Sequence, residues 1–190
     1  VTRGLQALGW LFGLLCAVIP AAWALDAALA LNMLVYPEQV AGLVLGLAAA
    51  GVYLQGAVAA QGAGRRAVDL ALALAALWLG GHVWVRFPVL SEGSFFHPEE
   101  SAALGVLALV VCVEGLRRVA GWALTAVAGL IAAYALFADM VPGRLQGRPM
   151  PVQDLLGFLP TDSGAMLGAP LQVAVFVVVL FVLFGRLLVA

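Results

Sequence analysis

The sequence contains no lysine, and its nine basic residues are all arginines. Charged residues make up only 10% of the 190 positions, whereas hydrophobic residues make up 65%. A soluble domain carries charge on about a quarter of its positions, which keeps its surface hydrated. This composition excludes a soluble globular domain. We predict an all-α integral membrane protein whose outer surface faces the lipid bilayer.

Sequence signatures of cofactor and metal sites are also missing. Cys16 and Cys112 both lie in apolar runs, and no cluster of cysteine and histidine has the spacing of a metal site. The sequence has no phosphate-binding loop, dinucleotide fingerprint or nucleophile elbow. We therefore expect no enzyme active site, no cofactor and no nucleic-acid partner in this chain.

Charges and prolines divide the sequence into apolar windows of membrane-spanning length. A hydrocarbon core of about 30 Å requires about 20 mostly apolar helical residues. Two further segments, near 27–36 and 151–159, are too short to span, and we predict short interfacial helices there. The six predicted transmembrane helices cover approximately residues 5–25, 40–60, 68–87, 101–117, 121–141 and 165–188.

The arginines predict an orientation for these six spans. With the N-terminus in the cytoplasm, six arginines fall on the cytoplasmic side and three on the outer side, in agreement with the positive-inside rule. The chain is then a multi-pass protein of a bacterial or archaeal cytoplasmic membrane. The cytoplasmic arginines are Arg3, Arg65, Arg66, Arg117, Arg118 and Arg186, and the outer ones are Arg86, Arg144 and Arg148.

Two pairs of glycines have the GxxxG spacing that lets membrane helices approach closely. Gly9 and Gly13 lie in the first predicted span, and Gly42 and Gly46 lie in the second. In a chain with 22 glycines such pairs also arise by chance. Either pair is therefore a candidate helix-packing contact.

Glu114 is the ionisable residue of greatest interest. A carboxylate within a span often carries protons or couples transport, because burying its charge is costly. However, Arg117 and Arg118 follow it by three and four residues on the same helix face. An interfacial ion pair that anchors the helix end is the favoured interpretation.

Other polar residues also favour structural roles. His82 is expected to pair with a backbone carbonyl or a neighbouring helix rather than to form a site. Glu99 and Glu100 suit a helix N-terminus, where negative charge is favourable. Asp162 and Ser163 are predicted to cap the sixth span.

Three stretches from residue 110 onward form a motif. They contain Glu114, Arg117, Arg118, Gly121 and Trp122, then Tyr134–Phe137 with Pro142 and Gly143, and finally the "FVLFG" that ends at Gly185. Over about 80 residues the sequence with these stretches resembles the fused permease of tripartite ATP-independent periplasmic (TRAP) transporters, of the type served by TAXI-class binding proteins. Two differences are Thr125, where the family has proline, and "DSGAMLG", where it has a glutamate-containing motif.

This resemblance implies a division of the chain and a set of partners. Residues 1–118 correspond to the four-helix Q-type scaffold, and residues 119–190 to the beginning of the M-type transport part. The full transporter would import an organic acid, use a sodium gradient, and receive its solute from a periplasmic TAXI-type binding protein. The family's substrate and sodium sites lie in the remainder of the M-type part. We therefore expect a fragment that acts as scaffold and contains no binding residue.

Two alternatives remain open from the sequence. The chain could be a stand-alone membrane scaffold or assembly protein that forms a stable complex with another membrane protein. It could also be an intramembrane enzyme that uses His82 or Glu114, although the sequence contains no convincing polar constellation for one.

Overall fold

The protein is described by a computed structural model that covers residues 2–30, 32–93, 98–140, 146–147 and 151–189. Every regular element in these residues is helical. The helices are α1 (Thr2–Ala24), α2 (Ala27–Ala30), α3 (Pro37–Ala59), α4 (Ala63–Gly93), α5 (Pro98–Phe137), α6 (Val152–Thr161), α7 (Ala169–Val173) and α8 (Val179–Val189). A single 3₁₀ turn, Ala138–Met140, follows α5, and a π-helical segment, Ala174–Val178, joins α7 to α8.

Five helices in the described residues are long and apolar enough to cross a membrane. Their ranges are close to the predicted windows, except that the fourth and fifth windows fall within one continuous candidate. The five ranges are Arg3–Ala24, Pro37–Ala59, Ala63–Ser91, Pro98–Met140 and Ala169–Val189. The all-helical fold class is confirmed, whereas the structure by itself does not separate the fourth span from the fifth.

Helix α3 is the centre of the molecule. In α3, 61% of the most apolar 18-residue window is buried, against 6% in the corresponding window of α1. Gly46 of α3 lies against α4, where an added Cβ would be 2.7 Å from the Ala76 carbonyl oxygen and 2.9 Å from the Gly80 Cα. The Gly42–Gly46 pair is therefore a true packing contact. Nothing lies within 4 Å of a Cβ added at Gly9 or Gly13, so neither glycine is required there by close packing within the described residues.

The predicted end of the third span at Pro88 is wrong, because α4 continues through this proline to Gly93. Proline has no N–H, so the Trp84 carbonyl one turn earlier loses its usual helical partner. The side-chain amide of Gln39, on α3, donates to this carbonyl over 2.5 Å. This contact between helices compensates for the lost bond, and the sequence window alone did not show it.

Helix α5 is interrupted at Gly121, which has φ 81° and ψ −178°. We call residues 98–120 its first arm and residues 122–137 its second arm. Ala138 accepts a backbone hydrogen bond from Gly147, and the Leu156 carbonyl lies against Gly105 in the first arm. The chain from Gly147 to Leu156, together with the two contacts at its ends, spans at most about 35 Å, so Ala138 and Gly105 lie no farther apart than this. A straight helix between them would be about 50 Å long. The second arm therefore bends back from the axis of the first.

The short helices are only partly as predicted. Helix α6 confirms a helix near 151–159, and it packs on α5 at Gly105, which leaves no space for a side chain. Within its described residues, the segment 27–36 contains the one-turn helix α2, which covers only the first part of the short helix predicted there. Asn32, in this segment, has a positive φ of 55°, which interrupts a helix.

The predicted cap of the sixth span at Asp162 and Ser163 is also wrong. Helix α7 begins at Ala169 and Gly168 is its N-cap residue. The Asp162 side chain instead accepts a hydrogen bond from the Gly164 N–H over 2.7 Å, which forms a local turn before the helix.

Candidate functional site: an ion-pair cluster between three helices

Arg118 lies at the centre of a cluster where α3, α4 and the first arm of α5 meet. Its Nε donates to Glu114 Oε1 over 2.7 Å, and its Nη2 lies 2.7 Å from Asp69 Oδ1. Asp69 is fully buried, and neither of its oxygens has a well-aligned hydrogen bond within the described residues. The contact with Arg118 is therefore an ion pair, and it supplies the opposite charge that a buried carboxylate requires.

Helix α3 forms the other wall of the cluster through Tyr53 and Gly56. The Arg118 guanidinium lies 4.9 Å from the centre of the Tyr53 ring, in cation–π geometry. The Tyr53 hydroxyl donates to the Val111 carbonyl oxygen over 2.5 Å. A Cβ at Gly56 would be 2.8 Å from Arg118 Nη1, so a glycine at this position leaves room for the guanidinium.

Arg117 extends the cluster toward the interruption in α5. It makes a two-point contact with Glu114, with Nε to Oε2 at 2.7 Å and Nη2 to Oε1 at 2.6 Å. Its guanidinium carbon lies 5.3 Å from the centre of the Trp122 ring. The ion pairs predicted between Glu114 and both arginines are present. Arg117 thus connects the last turn of the first arm to the first residue of the second arm.

Gly121 allows the chain to turn directly after the cluster. Its φ of 81° with ψ near 180° is accessible to glycine and strained for any residue with a Cβ. Nothing lies within 4 Å of a Cβ added there, so the requirement for glycine comes from the backbone and not from packing. In the second arm, Thr125 donates to the Gly121 carbonyl oxygen over 2.9 Å.

The first five residues of the matching motif, Glu114, Arg117, Arg118, Gly121 and Trp122, lie in this cluster or directly after it. Pro142 and Gly143 lie outside the described residues. Sequence reasoning missed Asp69, which is the buried acidic partner of Arg118. Asp69 is the single carboxylate of the predicted window 68–87, and this was the signal that could have identified it, because a charge within a span requires a partner.

The charges of this cluster compensate one another. Asp69 and Glu114 supply two negative charges, and Arg117 and Arg118 supply two positive ones. Within the described residues, no group of three or more histidine, cysteine, aspartate or glutamate side chains could hold a metal ion. A cluster of ion pairs whose charges balance, placed where three helices meet, is suited to fixing the positions of these helices.

A second polar cluster joins α4 to the first turn of α5. Arg86 donates to both oxygens of Glu100, with Nε to Oε1 at 3.2 Å and Nη2 to Oε2 at 3.0 Å. His82 Nε2 lies 3.0 Å from Glu100 Oε1, and its ring stacks on Trp78 at 4.7 Å. The prediction that His82 pairs with a neighbouring helix is confirmed. Glu100 lies in the first turn of α5, as expected, where it also pairs with α4.

Comparisons of this chain with protein-family models, curated proteins and solved structures find no match. Inferences about its role therefore depend on the geometry above and on the sequence motif.

Proposed function

We propose that this chain is the bracing part of a TRAP-type permease, a membrane component of a binding-protein-dependent secondary transporter. The observation that carries the proposal is the ion-pair cluster centred on Arg118. Five residues of the motif that resembles this family lie in this cluster or directly after it, and one of them, Arg118, joins α5 to Asp69 of α4 and Tyr53 of α3. A motif whose charged residues pair with one another at a junction between helices fits a scaffold better than an intramembrane enzyme.

The position of the cluster also supports the proposed division of the chain. The interruption at Gly121 is three residues from the proposed boundary between a Q-type part, residues 1–118, and the beginning of an M-type part, residues 119–190. An ion-pair cluster at this boundary would hold the last scaffold helix while the chain turns into the next part.

The proposal includes six membrane crossings with a cytoplasmic N-terminus. Residues 122–140 would be about 28 Å long as a helix, which is close to the thickness of the hydrocarbon core. The bend at Gly121 allows this arm to cross separately from the first. A bacterial or archaeal cytoplasmic membrane, a periplasmic TAXI-type binding protein, the remainder of the M-type permease, an organic-acid solute and a sodium gradient complete the proposal.

Single-cysteine labelling tests whether the number of crossings is even, as six crossings require, or odd. After Cys16 and Cys112 are replaced by alanine, new cysteines at Gly4 and Leu188 are labelled with a membrane-impermeant maleimide in intact cells and in inverted vesicles. Six crossings place both positions on the cytoplasmic side, so both react only in inverted vesicles. Reaction of the two positions from opposite sides would show an odd number of crossings.

Transport by the product of the full gene tests the function itself. Proteoliposomes that contain this product and its binding protein should take up labelled carboxylic acids when an inward sodium gradient is applied. The double variant D69N/R118Q should lower the amount of folded permease without changing the sodium dependence of the remaining uptake. A gene that ends at codon 190, with no partner permease, would instead favour the stand-alone assembly protein.

A further inference from the structure

A cavity of about 270 Å³ lies between the start of α3, the end of α4 and the end of α6, away from the ion-pair cluster. This size suits a ligand smaller than a typical drug molecule. The described residues that line it are Tyr36, Glu38, Phe87, Ser91, Thr161, Asp162 and Ser163. Two carboxylates are among them, and no lysine, arginine or histidine is.

Glu38 carries a buried negative charge at this cavity. Only 9% of its surface is exposed, and it has no ion pair within the described residues. Its Oε1 accepts a long hydrogen bond of 3.3 Å from the Gln172 side-chain amide. It lies in the first turn of α3, and no arginine or histidine pairs with it within the described residues.

Two hydroxyl groups of the cavity, those of Thr161 and Ser91, have their protons committed to backbone carbonyls. The Thr161 hydroxyl donates its proton to the Gly157 carbonyl oxygen over 2.6 Å, and the Ser91 hydroxyl donates to the Pro88 carbonyl oxygen over 3.3 Å. A hydroxyl with its only proton committed presents lone pairs to other groups. Together with Glu38 and Asp162, these oxygens make a lining that is rich in acceptors and matches a positively charged ligand.

Two aromatic rings distinguish an organic cation from a metal ion. The rings of Tyr36 and Phe87 lie 6.2 Å apart, with 59° between their planes, and form a corner of the cavity. Aromatic faces attract alkylammonium groups. A bare metal ion requires several oxygens at about 2 to 2.6 Å, in a much smaller cage than this cavity provides.

From this arrangement we propose that the cavity is a binding site for a small organic ammonium ion. Glu38 supplies the main charge, Asp162 at the rim adds a second negative charge, and Tyr36 and Phe87 contact the alkyl groups. The site does not depend on the proposed transport function.

Calorimetric titration of the protein in nanodiscs tests the site with tetramethylammonium chloride as the probe and sodium chloride at equal ionic strength as the reference. We expect saturable binding of tetramethylammonium. The variant E38Q should raise Kd at least about tenfold, because it removes the buried charge. The variant Y36L should raise Kd about threefold to fivefold, because it removes one aromatic face but keeps its bulk. The matched control E99Q changes an exposed carboxylate outside the cavity and should leave Kd unchanged.

Other outcomes overturn the proposal. Binding of sodium with equal or greater affinity would show a metal-ion site. No binding of tetramethylammonium by the folded wild type would show that the cavity has no such ligand. Arg144 and Arg148 lie outside the described residues, and the double variant R144Q/R148Q tests whether they pair with Glu38. Binding that is present only in this double variant would show that the chain's own arginines satisfy Glu38.

Discussion

Gln39 donates its side-chain amide to the carbonyl oxygen of Trp84, the group that Pro88 leaves without a helical partner. Gln39 is itself held in place, because its Oε1 accepts the backbone N–H of Tyr36 over 2.9 Å. One side chain thus stabilises the start of α3 and the proline-containing turn of α4. This pair explains how an apolar helix continues through a proline in surroundings that offer few other donors.

The variant Q39L should destabilise the protein by about 1–3 kcal/mol, because it leaves the carbonyl of the half-buried Trp84 without a partner. In a P88A background the Trp84 carbonyl regains its helical partner, so the same substitution should cost clearly less. Reversible unfolding in mixed micelles measures the four members of this double-mutant cycle. Equal costs in both backgrounds would show that Gln39 does not act through the proline.

Removing Arg118 should lower the unfolding free energy more than removing Asp69 does. The variant R118Q leaves the fully buried Asp69 without an opposite charge and should cost about 3 kcal/mol or more. The variant D69N should cost less, because Arg118 keeps Glu114 and is partly exposed. The double variant D69N/R118Q should recover part of the loss, and R65Q, at an exposed arginine near the start of α4, is the control. Unfolding midpoints in the same detergent give these values.

Substitution of Gly121 should change the shape of α5. The variant G121A forces a Cβ into a backbone conformation that costs about 1–3 kcal/mol, or else straightens the helix. Gly129 also has open space around it but does not have a positive φ, so G129A should be neutral or slightly stabilising.

Spin labels at Val106 and Val127, both exposed, report the bend. A straight helix would separate these positions by about 32 Å. We expect a shorter distance in the wild type and in G129A, and a longer or broader distance distribution in G121A. A wild-type distance equal to that of a straight helix would contradict the bend.

The two GxxxG pairs should respond differently to the same substitution. The variant G46A places a methyl group against the backbone of Ala76 and Gly80, which cannot move aside as a flexible side chain would. It should cost about 1–3 kcal/mol. The variants G9A and G13A meet open space and should leave the unfolding free energy within about 0.5 kcal/mol. Comparable losses at all three positions would show that Gly9 and Gly13 also pack in the membrane.

Much of this architecture follows from the sequence alone. A chain with so few charges must present apolar helices, and windows of membrane-spanning length locate α1, α3 and the last helical segment to within about four residues. The ion pairs of Glu114 were also predictable, because residues three and four positions apart share one face of a helix. Local spacing was enough for each of these features.

Only the tertiary structure decided which groups meet across the chain. Asp69 and Arg118 are 49 positions apart, and no helical period relates them. The continuation of α4 through Pro88 depends on Gln39 of another helix, and the contact of Gly46 depends on the small residue opposite it, Gly80. The physical reason is the same in each case. Hydropathy and periodicity describe what one helix buries, whereas a hydrogen bond or an ion pair between helices depends on where two helices cross.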